Sequence, residues 1–196
     1  MRVIGITGGI GSGKSLVLEH MRNKYGAVVC ETDAAAHKLQ EPGTKCYEAI
    51  VNCFGGDILN ADGTIDRKAL GAIVFADAKQ LEKLNKIVHP AVKAEVKEQI
   101  QKAGEAGKDI FLIESALLME DHYEEICDEL WYIYSDEAVR RMRLSSSRGL
   151  SEEKINAVMR SQADEDAFRN YCHVVIDNSG MFDCTEEQIE KAVSRR

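Results

Sequence analysis

An α/β fold, with a parallel sheet covered by helices on both faces, is what this sequence predicts. Three observations point to it. Short apolar, β-rich runs end in glycine or polar residues, helix-patterned stretches separate them, and a glycine-rich loop joins the first run to the first helix. The 196 residues are 44% apolar and 30% charged, which suits one compact domain with modest insertions.

The elements follow in order. Val3 to Thr7 reads as a strand closed by glycines, and about Gly13 to Tyr25 carries a helical pattern. Ala27 to Cys30 reads as a second buried strand closed by Glu31, Thr32 and Asp33, with a helix from Ala34 to Gln40 that Pro42 and Gly43 break. Gly43 to about Gly107 is mostly helical, interrupted at Asn60-Ala61-Asp62-Gly63. That tetrapeptide faintly resembles a calcium loop, but Ile58 and Ala69 stand where the first and last ligands belong, so it reads as a turn. Asp109 to Glu114 is the clearest central strand and Leu130 to Tyr134 another. A polar helical region, Glu137 to Asn170, carries Arg140, Arg141, Arg143, Arg148, Arg160 and Arg169. Val174 to Ile176 is a last strand, and Thr185 with Gln188 reads as a capping box opening the final helix.

Composition excludes some functions. A net charge of −8 argues against non-specific nucleic-acid binding, which needs excess Lys and Arg. No apolar run reaches membrane-span length, and Gly8 and Gly9 interrupt the apolar start too early for an export signal. Six cysteines without a CxxC pair predict neither disulfides nor structural zinc, and a reducing cytoplasm as the compartment.

Gly8-Gly9-Ile10-Gly11-Ser12-Gly13-Lys14-Ser15 matches the full G-x-x-x-x-G-K-[ST] pattern. Its glycines let successive N–H groups converge on phosphate oxygens, and the following helix adds its positive end. Lys14 is the cation for the β- and γ-phosphates, and the Ser15 hydroxyl is placed for Mg2+. Gly9, Ile10, Gly11, Ser12, Gly13, Lys14, Ser15 and Leu16 are the expected ATP-binding residues of this P-loop NTPase-type fold.

Two carboxylates could specify the chemistry. Asp33 follows the second strand, where ligands bind in open α/β sheets. It could act as a general base toward an attacking hydroxyl, or cap the helix that begins at Ala34. Glu114 could hold magnesium through water, or be a solvated strand-end charge. The guanine-reading N-K-x-D is absent, since Asn85-Lys86-Ile87-Val88 lacks the Asp.

An ordered set of motifs along nearly the whole chain resembles the dephospho-coenzyme A kinase family. ITGGIGSGKS (Ile6 to Ser15) is similar to its phosphate loop, and ETDAAAHKLQEPG (Glu31 to Gly43) to its D-A-D-x-I-A-R segment, with Asp33 on the catalytic aspartate. Phe54 to Phe75 and LNKIVHPAV (Leu84 to Val92) resemble its substrate-domain signatures, and SALLME (Ser115 to Glu120) its P-L-L-F-E. GLSEEK (Gly149 to Lys154), Gln162 and VIDNSG (Val175 to Gly180) resemble its lid and final strand.

The resemblance implies transfer of the ATP γ-phosphoryl, with Mg2+, to the ribose 3′-hydroxyl of dephospho-coenzyme A. Asp33 and Lys14 would be the catalytic residues, and Arg141 and Arg143 would join the loop in binding ATP. Substrate contacts would come from Asp33, His37, His89 and Leu117, although a helix-end role for His89 before Pro90 is equally open. It implies a core (about 1–40, 108–136 and 171–196), a helical substrate-binding insertion (41–107) and a helical lid (137–170), in a cytoplasmic protein expected to be monomeric.

Glu31, His37 and Ala116 depart from the usual Asp, Arg and Pro. Ser147, Val158 and Phe168 stand where basic lid residues are expected, with Arg148, Arg160 and Arg169 nearby. Another P-loop nucleoside or nucleotide kinase, or an ATP-binding protein with weakened transfer, are the alternatives.

Overall fold

The computed structural model describes residues 1–162 and 164–195, and the backbone alone of Arg148. Two compact units divide the chain: Met1–Val29 with everything from Ala103 onward, and Cys30–Lys102.

The first unit is built on strands β1 (Arg2–Thr7), β3 (Ile110–Glu114), β4 (Glu129–Tyr134) and β5 (Val174–Asp177), with β2 (Val28–Glu31) starting at its boundary. The sheet order is β2-β3-β1-β4-β5, and β1 runs parallel to both β3 and β4. From Val3 to Thr7 every residue of β1 is buried, as expected of a strand covered on both faces. One face packs Ile4, Ile6, Leu112, Trp131 and Ile133 against Val17 and Met21 of α1 (Lys14–Tyr25) and Ile189 of α9 (Phe182–Ser194). Among the described residues, three further helices join β4 to β5: α6 (Glu137–Arg148), α7 (Glu152–Arg160) and α8 (Glu165–Tyr171).

The second unit is helical: α2 (Thr32–Leu39), α3 (Lys45–Phe54), α4 (Arg67–Ala76) and most of α5 (Ala78–Glu105). Thr44 caps α3 and Asp66 caps α4, each accepting main-chain N–H groups of the first turn. Between them Asn60–Gly63 is indeed a turn, closed by an Asn60 N–H bond to the Thr64 carbonyl at 2.8 Å, with the Asp62 carboxylate accepting from Thr64.

Three expectations are corrected. His89 does not end a helix, because α5 continues through Pro90. Val88, Val92 and Val96 lie at four-residue spacing and are buried, and this shared apolar stripe offsets the hydrogen bond that proline removes. The second helix begins at Thr32 with Glu31 at its N-cap, two residues earlier than its pattern suggests. Thr185 and Gln188 do not open α9, which starts at Phe182. Their side chains bind the end of β5 instead: Thr185 reaches Asn178 Oδ1, and Gln188 both accepts from and donates to the Asp177 main chain.

Candidate active site

The loop between β1 and α1 is held from outside by side chains. Arg140 Nε donates to the Ile10 carbonyl at 2.9 Å. The Ser12 carbonyl accepts from Asn178 Nδ2 at 2.8 Å and Arg143 Nη1 at 3.3 Å, and Ser135 Oγ, whose one hydrogen it shares with the nearer Asn178 carbonyl, lies 3.1 Å away. In a trans peptide the C=O and N–H point in opposite directions. Fixing the Ile10 and Ser12 carbonyls toward these donors therefore turns the N–H groups of Gly11 and Gly13 the other way, as a phosphate cradle requires. Gly13 has φ 84° at the N-cap of α1, a left-handed conformation that favours glycine. A Cβ there would also fall 2.3 Å from Asn178 Nδ2.

Lys14 and Glu114 converge at the mouth of this loop. Lys14 Nζ donates to the Gly8 carbonyl at 2.7 Å and lies 3.7 Å from Glu114 Oε1. Register explains the pairing: Glu114 ends β3 opposite Ile6 of β1, one residue before β1 closes. Ser15 and Leu16 are exposed on the first turn of α1. The hydroxyl and carboxylate oxygens of Ser15 and Glu114 are the hard donors that magnesium takes when it keeps several waters.

The arginines of α6 divide by helical phase. Arg140 and Arg143 are three residues apart and share a face, which meets the loop. Arg143 also donates to Ser135 Oγ and the Asn178 carbonyl. Arg141, about 100° round the helix, instead pairs with Glu137 at 2.7 Å and with Asn156 of α7 at 2.7 Å. Arg140, which the sequence did not single out from its neighbours, is thus in direct contact with the loop. Its signal was the three-residue spacing to Arg143. Gln162 belongs to the same cluster: its Oε1 accepts from Arg140 Nη2 at 2.7 Å and from the Ile10 N–H at 3.1 Å.

Phe168, in place of a basic residue, is buried and stacks on Tyr132 at 4.8 Å, which docks α8 on β4. The neighbouring Arg169 lies 4.9 Å above the Tyr134 ring and pairs with Glu165. Tyr134 donates to Asp136 at 2.7 Å, and that bond pushes its pKa up to about 12. The side chain of Arg148 lies outside the described residues.

The remaining candidates outside the loop are Leu117, exposed beyond β3 with its N–H on Ser115 Oγ, and three residues of the second unit. Asp33 lies in the first turn of α2, exposed, with Glu31 and not Asp33 at the cap position; this removes the capping explanation. His37 is one helical turn further on and exposed, so both project from one side of α2. His37 also lines a cavity of about 270 Å³ with Gln40, Glu41, Pro42, Thr64, Ile65 and Arg67. His89 is half-buried within α5.

Comparison with known proteins bears on what this arrangement does. A family model described as dephospho-CoA kinase matches residues 2–183. The chain is 40% identical over 192 residues to the dephospho-CoA kinase of Symbiobacterium thermophilum, covering 98% of this chain and 80% of that protein. The solved dephospho-CoA kinase of Campylobacter jejuni superposes with TM-score 0.71 at 27% identity, covering 98% and 96% of the two chains. A Thermus thermophilus structure matches with TM-score 0.83 at 29% identity, again over 98% and 96%.

Proposed function

The chain belongs to the dephospho-CoA kinase family, and we propose that it transfers the γ-phosphoryl group of ATP to the ribose 3′-hydroxyl of dephospho-coenzyme A, releasing coenzyme A and ADP. The observation that carries this reading is the family match over residues 2–183, which spans the phosphate loop, Asp33 and the α6 arginines.

The parts then take roles by their chemistry. The loop from Gly9 to Ser15, continued by Leu16, holds the ATP phosphates through main-chain N–H groups. Lys14 leaves the Gly8 carbonyl for the β- and γ-phosphates and offsets charge that spreads over the transferring group. Ser15, and Glu114 through water, would hold Mg2+, which neutralises β- and γ-phosphate oxygens. Asp33 accepts the proton of the 3′-hydroxyl as it attacks. Arg143 and Arg140 stabilise the loop from behind, and Arg141 meets ATP when α6 and α7 move as a lid over residues 137–170. His37, His89 and Leu117 contact the acceptor, with residues 41–107 as the substrate-binding insertion.

The acceptor is a small molecule and not nucleic acid, in keeping with a net charge of −8. No helix among the described residues is long and apolar enough to cross a membrane, and we place the enzyme in the cytoplasm as a monomer. The test is a coupled assay of ADP release with ATP and Mg2+. Release that depends on dephospho-coenzyme A, with coenzyme A as product, is expected. Equal rates with and without that acceptor would overturn the reading.

A further inference from the structure

Asn178 is the residue immediately after β5, and it is 2% exposed. Its N–H donates to the Tyr134 carbonyl at 2.8 Å, extending the β4–β5 ladder by one step. Its own carbonyl accepts from Ser135 Oγ and Arg143 Nη2, both at 2.8 Å. The main chain is therefore held on both sides.

That side chain meets the phosphate loop. Nδ2 lies 2.8 Å from the Ser12 carbonyl. A carbonyl oxygen can only accept, so the amide must present its NH2 there. The other end, Oδ1, then needs a donor, and the Thr185 hydroxyl supplies it at 3.0 Å. Thr185 is fully buried in α9. A relay thus runs from α9 through a single amide to the peptide between Ser12 and Gly13.

We propose that Asn178, oriented by Thr185, is a positioning residue for phosphate binding. It holds the Ser12–Gly13 peptide so that the Gly13 N–H faces the phosphates. Two observations beyond the hydrogen bond support this. The amide occupies the space a Gly13 side chain would need, so loop and amide fit only as a pair. The same carbonyl is also met by Arg143 Nη1 at 3.3 Å, so a second donor helps to fix that peptide plane. The proposal rests on the reading of this loop as the ATP site.

The experiment is calorimetric titration of ATP and of ADP into Asn178→Ala, Asn178→Asp, Thr185→Val and Thr185→Ser, without acceptor, followed by steady-state kinetics. Loss of a buried hydrogen bond to the loop should weaken ATP and ADP by about tenfold in Asn178→Ala. Asn178→Asp should weaken them more, because a carboxylate would face a carbonyl oxygen. Thr185→Val frees the amide to turn and should weaken ATP several-fold, and Thr185→Ser should restore it. KM for the acceptor should stay at the wild-type value, whereas a merely structural role would lower melting temperature and active fraction without moving ATP affinity. ATP affinity within about twofold of wild type in folded Asn178→Ala and Thr185→Val would overturn the proposal. If the Asn178 variants do not fold, Thr185→Val decides alone, since it preserves packing volume. The titrations need no acceptor, so a wild-type protein that binds ATP yet leaves dephospho-coenzyme A unphosphorylated would sink the proposed reaction and leave this test standing.

Discussion

Arg140 Nε lies 2.9 Å from the carbonyl oxygen of Ile10, while Gln162 accepts both from Arg140 and from the Ile10 N–H. One residue of the loop is therefore held at its carbonyl by α6 and at its N–H by the segment after α7. Truncating Arg140 leaves the Ile10 carbonyl without that donor and releases Gln162. Arg140→Ala should weaken ATP binding and lower turnover by about tenfold or more. Arg140→Lys should recover little, because an ammonium lacks the planar fork that spans both acceptors. Titration and kinetics on the same preparation check this, and near-normal values for Arg140→Ala would rule out the role.

Lys14 is the loop's own cation, and its ammonium lies between the Gly8 carbonyl and Glu114. Lys14→Ala should reduce turnover by a factor on the order of a hundred or more while the fold survives. Circular dichroism verifies the fold, and the coupled assay the rate. A folded variant with near-normal turnover would refute the assignment.

Asp33 offers a cleaner separation of roles. Since α2 begins at Thr32 with Glu31 at the cap, Asp33→Asn should leave the melting temperature nearly unchanged. An amide can orient a hydroxyl but cannot take its proton at neutral pH. Turnover should therefore fall by roughly two to four orders of magnitude with ATP affinity nearly intact. Turnover within about threefold of wild type would mean that the base lies elsewhere.

Because Arg140, Arg143 and Gln162 already reach the loop, phosphate binding should be felt across α6 and α7. Hydrogen exchange over residues 137–170 should slow on adding ATP with Mg2+. Unchanged protection there would count against a lid.

The cysteines yield a prediction in pH. Burial pushes Cys30 up to about 11 and Cys127 and Cys172 up to about 12, helped at Cys30 by Glu95 and Glu31 and at Cys127 by Asp128 and Glu124. Burial raises Cys46 as well. Cys53 and Cys184 are exposed. Alkylation of the native protein at pH 8 should therefore label those two rapidly, the half-buried Cys127 slowly, and the buried Cys30, Cys46 and Cys172 only on unfolding. The raised groups are neutral in both states below about pH 7.5, a unit under the unfolded thiol's pKa of about 8.5. Above that pH the unfolded chain loses their protons first, so their contribution to stability should decline as pH rises toward 11 to 12. Equal labelling rates for all six thiols would contradict the burial pattern.

Much of this was legible locally. The loop's chemistry depends on eight consecutive residues, so Gly8 to Ser15 could be read directly, and so could the strands, whose buried runs declare themselves by composition. Helix starts were harder. Glu31 does close β2, but Thr32 and Asp33, read as closing it too, already belong to α2, because where a helix starts depends on the packing of the whole segment. Thr185 and Gln188 satisfied a capping pattern, yet Thr185 reaches Asn178, seven residues earlier, because α9 begins sooner and its first turns bury against β5.

The sequence by itself determined which groups exist: the phosphate loop, a lysine at its end, the carboxylates that end β2 and β3 regions, and an arginine-rich stretch. It could not determine which arginine meets the loop. That depends on how α6 is rotated as it packs, and a step of one residue turns a side chain by about 100°. The tertiary structure brought Arg140 to Ile10 across 130 residues and Asn178 to Ser12 across 166. Bonds between such distant positions leave no periodic signal in a single chain, because it is the closing of the sheet that brings their partners together.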